Sequence, residues 1–132
     1  MESSSIELPG SEIAAVTEDG DAISIHFRRV IIIKSMTGAF ERTRWWQAGE
    51  LVFEEARFVD EPPVFPAVCS GGDVGEGVYT YRNMIPLPLQ SHAASHCDLA
   101  VEGSARHLRI EGRGIRLQMV DVPRYIEHIA AD

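Results

Sequence analysis

Residues 23–28 read Ile-Ser-Ile-His-Phe-Arg, an apolar side chain at every second position. Successive residues of a strand point to opposite faces, so this pattern describes a ribbon with one greasy side. The same period returns in Leu51 and Phe53, in Cys97, Leu99 and Val101, in Leu108 and Ile110, and in Ile115, Leu117 and Met119. No ten-residue stretch has a convincing 3.6-residue period. Strands recur every 8 to 15 residues, separated by turn signals. An apolar sheet face must be covered by a second sheet or by closure of the sheet on itself. The expected fold is therefore all-β, an antiparallel sandwich or barrel of about eight to ten strands.

The punctuation adds detail. Glu18-Asp19-Gly20-Asp21 is a hairpin turn, because Asp-Gly suits positive φ. The alternation breaks at Arg28-Arg29 and resumes as Val30-Ile31-Ile32-Ile33. A straight strand from Ala22 to Lys34 would measure about 43 Å at ~3.3 Å per residue, too long for a small domain without a bend. A β-bulge at the arginine pair supplies the bend and resets the inward face. A similar layout with opposite charge, Leu51-Val52-Phe53-Glu54-Glu55-Ala56, predicts that these two strands are neighbours with their charged breaks close together.

Residues 1–10 read as a loose lead-in ending at Pro9-Gly10, and 11–132 as one β domain. Pro62, Pro63 and Pro66 interrupt regular structure, and Cys69 to Gly77 is expected as a flexible glycine-rich loop. It does not cradle phosphate: the Gly-Lys-Ser/Thr ending is missing, and Asp73 and Glu76 repel anions. Ile85-Pro86-Leu87-Pro88-Leu89 reads as an edge strand or strap. Asp121-Val122-Pro123 is a break. Arg124–Ala131 then forms either one short C-terminal helix, the favoured reading, or a last strand.

Composition narrows function by exclusion. The 132 residues carry a net charge of −8, which argues against nucleic acid or anionic membrane as a partner. The longest aliphatic run, Val30–Ile33, is far too short to span a bilayer, and the first residues have no signal-like apolar stretch. A cytoplasmic protein is expected. Cys69 and Cys97 form no CxxC pair and read as buried free thiols.

Two functional expectations follow. The first is a non-enzymatic module, acting as a homodimer, that binds a small ligand or a protein partner. Trp45-Trp46 beside Arg44 carries it: on a strand one indole faces inward and the other outward, where it can stack on a ligand or anchor a subunit interface. Two large residues closing one end of the core is the bland alternative. Arg109 and Arg116 belong to the sole basic concentration, with Arg106 and Arg113. Glu102 and Glu111 among them make a solvated face with ion pairs its default role.

The second expectation is a small metal-dependent enzyme with His92 and His96 at a barrel mouth. Imidazole and the Cys97 thiolate are ligands for zinc or another divalent metal. A loop over 91–98 could bring the two histidines together, with His26, His107 or Asp73 as a third ligand; a strand would hold them about 13 Å apart. No His-x-His is present, which counts against the jelly-roll metal enzymes. Cys69 before Ser70-Gly71-Gly72 is a thiol with glycine N–H groups at hand, but no motif ties it to a base.

Overall fold

The computed structural model describes residues 2–36 and 41–129. Among the described residues there are nine strands and no helix: β1 Glu2–Asp19, β2 Ala22–Met36, β3 Arg42–Phe53, β4 Arg57–Phe58, β5 Ala67–Glu76, β6 Tyr79–Arg82, β7 Met84–Leu87, β8 Gln90–Val101 and β9 His107–Ile129. All pairings are antiparallel, in the order β6-β5-β8-β9-β3-β2-β1-β7, with β4 added to β9. The sheet curls until β1 meets β5, Glu12 opposite Val68 and Ile13 opposite Ala67, so six strands close into a ring. No helix long and apolar enough to cross a membrane occurs among the described residues.

Three of the expected features have a physical counterpart. Asp19 pairs with Ala22 across Gly20-Asp21, with Gly20 at φ 64°. Phe27 faces Gly49 and Val30 faces Gln47, three steps on β2 against two on β3, so the extra residue lies at Arg28-Arg29. The bulge keeps Ile23, Ile25 and Phe27 on the buried side and returns Val30 and Ile32 to it. Phe53 is the largest of the fully enclosed core side chains. Burying such a ring contributes about 1.5–3 kcal/mol. β7 is an edge strand, as Pro86 within it requires.

Four expectations are corrected. Residues 2–10 are not a lead-in but the first half of β1, because Ile6 and Leu8 are completely buried and the chain pairs with β2 and β7. Pro9-Gly10 marks a kink inside that strand. There the buried Ser11 hydroxyl donates to the Glu7 carbonyl (2.8 Å) and accepts from the Ile31 N–H (3.1 Å).

The glycine-rich segment is a strand, β5, flanked by β8 and β6. Its glycines serve close packing: a Cβ on Gly72 would strike the Asp98 carbonyl, and one on Gly75 the His96 ring.

The described part of the expected C-terminal helix, Arg124–Ile129, continues β9; 130 and 131 lie outside the described residues. Tyr125 pairs with Trp45 and Glu127 with Arg44, which leaves Ile126 as a bulge. That extra residue shifts the phase, so Tyr125, Ile126 and Ile129 imitate helical spacing.

The arginine–glutamate pairing between β2 and β3 does not form. The strands are neighbours, but Ile23 lies opposite Phe53. Glu54 is therefore level with Ala22, about 20 Å along β2 from Arg28 at ~3.3 Å per residue. Arg28 bonds Glu12 instead, and Glu54 bonds Arg116.

Candidate functional site

Alternation along β3 sends Trp45 to the same side as the buried Gln47, Leu51 and Phe53, and Trp46 to the outer side. Trp45 packs on the core margin, edge-on to Tyr125 with centroids 5.4 Å apart. Its indole N–H donates to Thr43 (2.8 Å), and the Lys34 ammonium lies 4.5 Å from its ring. The chain is held in this register by Gln47, whose amide donates to the Asp121 carbonyl at the β9 bulge (2.7 Å).

Trp46 is half-buried between two arginines from the strands on either side. The Arg29 guanidinium of β2 lies 5.0 Å from its ring centroid and that of Arg124, on β9, 5.5 Å. Such contacts contribute roughly 0.5–1 kcal/mol each at exposed sites. Neither arginine has a carboxylate partner among the described residues, and Arg29 Nε is buried without an acceptor. Arg44, one cross-strand row away, differs: it bonds Glu127 at 3.1 Å and approaches Glu7 at 3.8 Å. In a chain of charge −8, this face therefore holds two arginines that form no ion pair among the described residues, although Glu12, which bonds Arg28, lies across the β1–β2 ladder from Arg29.

The other arginine candidates are neutralised. Arg116 is engaged by Glu54. Arg109 donates through Nε to Asp98 (3.1 Å) and through Nη1 to Asp60 (2.7 Å). The same Asp98 meets His107 Nδ1 at 2.6 Å. Partial burial pushes the Asp98 carboxyl up, but the hydrogen bonds and charges of His107 and Arg109 outweigh it and hold the group below the usual carboxylate range. Asp60, Glu61, Arg106, His107 and Arg109 rim an open depression of about 360 Å3. The aspartate fixes one imidazole nitrogen, which is half of an acid–base arrangement. Asp98 is the one side-chain hydrogen-bond partner of the His107 imidazole among the described residues. This cluster escaped the sequence reading, although Asp98 and Arg109 are direct cross-strand partners.

The metal candidates are not brought together. The segment expected as a loop is β8, with His92 and His96 exposed on its outer face and Cys97 buried on its inner face. Among the described residues no group of three His, Cys, Asp or Glu side chains can hold a metal ion. The possible third ligands are also occupied: His26 by Glu50 and Thr17, His107 by Asp98, and Asp73 by Arg82. Burial pushes the Cys97 thiol far up and raises the Cys69 thiol too, the opposite of what a metal ligand or nucleophile needs.

No protein-family model, curated protein or solved structure matches the chain.

Proposed function

We propose that this protein is a non-enzymatic interaction module whose working surface is the outer face of β2, β3 and β9 around Trp46, where it takes an acidic group of a ligand or protein partner, and that it acts as a homodimer. The observation that carries the reading is the pair Arg29 and Arg124, converging on one indole with neither in an ion pair among the described residues. Arginine favours planar anions such as carboxylates, and a neighbouring aromatic ring adds apolar contact area. The buried, high-pKa thiols and the separated histidines offer nothing comparable for catalysis.

The test uses Trp45→Phe, which leaves Trp46 as the sole indole. Titration with hexaglutamate should change Trp46 emission saturably, and added salt should weaken the response. Arg29→Ala with Arg124→Ala should abolish it. An emission unchanged through millimolar hexaglutamate would overturn the proposal.

A further inference from the structure

We infer that the acidic group comes from a second copy of this chain: two β9 edges meet about a twofold axis near Tyr125–Ile126, placing Arg124 of each copy against Glu127 of the other. This inference rests on the reading of the Trp46 face as the working surface and names its partner.

The edge is available. β8 pairs with β9 as far as Arg116, and Leu117 bonds the Leu89 carbonyl. From Gln118 to Ile129, β9 pairs with β3 on one side and with no other strand among the described residues on the other. Unpaired edges take up a further strand readily. This one also displays Tyr125, 55% exposed.

The contact is confined to the end of the strand. Asp121 sits at φ 63°, and Pro123 has no N–H to give, so both blunt the edge upstream.

The charges select the arrangement. In an unbulged strand Arg124 and Glu127, three apart, would face opposite sides. The extra residue Ile126 puts both on the Trp46 side, Arg124 opposite Trp46 and Glu127 opposite Arg44. A twofold axis between them then creates two identical arginine–glutamate contacts and closes the assembly as a dimer.

Sedimentation of the full chain up to several hundred micromolar tests this. The wild type should dimerise. Arg124→Glu alone, with glutamates at both positions, and Glu127→Arg alone, with arginines at both, should each dimerise at least about tenfold more weakly, a difference of ~1.4 kcal/mol. Mixed one to one, the two variants should pair with each other, because every contact is again between opposite charges. A monomeric wild type, or a dimer indifferent to these changes, overturns the inference. A monomer that still responds to hexaglutamate at Trp46 overturns the second-copy partner and leaves the binding reading standing.

Discussion

The imidazole of His96 sits over the Cα of Gly75, its direct partner across the β5–β8 ladder. The same ladder brings the Gly72 Cα against the Asp98 carbonyl. Two glycines in one strand thus answer different neighbours, one a movable side chain and the other fixed backbone. Gly72 also holds φ 142°, a conformation other residues rarely adopt. Gly72→Ala should cost about 2–4 kcal/mol in chemical denaturation. Gly75→Ala should cost less, about 1–2 kcal/mol, and most of that should disappear in the His96→Ala background.

Ser11 holds the kink of β1. It is fully buried, and its hydroxyl satisfies both a carbonyl of its own strand and an N–H of β2. Ser11→Ala leaves both groups without a partner and should destabilise the fold by about 1–3 kcal/mol. Urea denaturation checks this.

Asp98 makes stability depend on pH. Its folded pKa lies below the unfolded value, so the carboxylate stabilises the fold above the unfolded pKa of about 4, and that contribution is lost as pH falls through the folded value. The group is 41% exposed, so solvent screens it and the effect should be about 1 kcal/mol or less. Asp98→Asn should be less stable than wild type at pH 7, and the difference should shrink as pH falls below the unfolded pKa of about 4, measured by thermal melts across that range.

Both thiols are buried, and their ionisation is suppressed by that burial. A thiol-specific chromogenic reagent should find no reactive cysteine in the native protein and two after denaturation. Rapid reaction of either thiol under native conditions would contradict the placement of Cys69 and Cys97 in the core.

What was legible in the sequence was whatever a strand settles within itself or at its own turn. Ile23, Ile25 and Phe27 declare an inward face, Asp19-Gly20 declares a hairpin, and Arg28-Arg29 marks a phase break that is a bulge. Segments whose meaning comes from a distant neighbour were opaque. Gly71 to Gly77 has the composition of a loop, and the reason it is a strand is the crowding by Asp98 and His96, over twenty positions away. Ile126 disguised the end of β9 as a helix by adding one residue to the period. The site follows the same division. That one of Trp45 and Trp46 would face outward was visible from alternation. That Arg29 and Arg124 would flank Trp46 depends on the register of three strands, and the pairing of Asp98 with Arg109 on the register of two.

Residue-resolved amide exchange is the most direct probe of whether the sheet around Trp46 is where this protein meets a partner. Spectra would be compared for dilute protein, concentrated protein and protein with hexaglutamate. Slower exchange confined to residues 124–127 on concentration, and altered exchange around Arg29–Ile33 and Arg44–Gln47 with hexaglutamate, is the predicted result. Identical exchange in all three samples, or changes centred on His92–Asp98 instead, would contradict it.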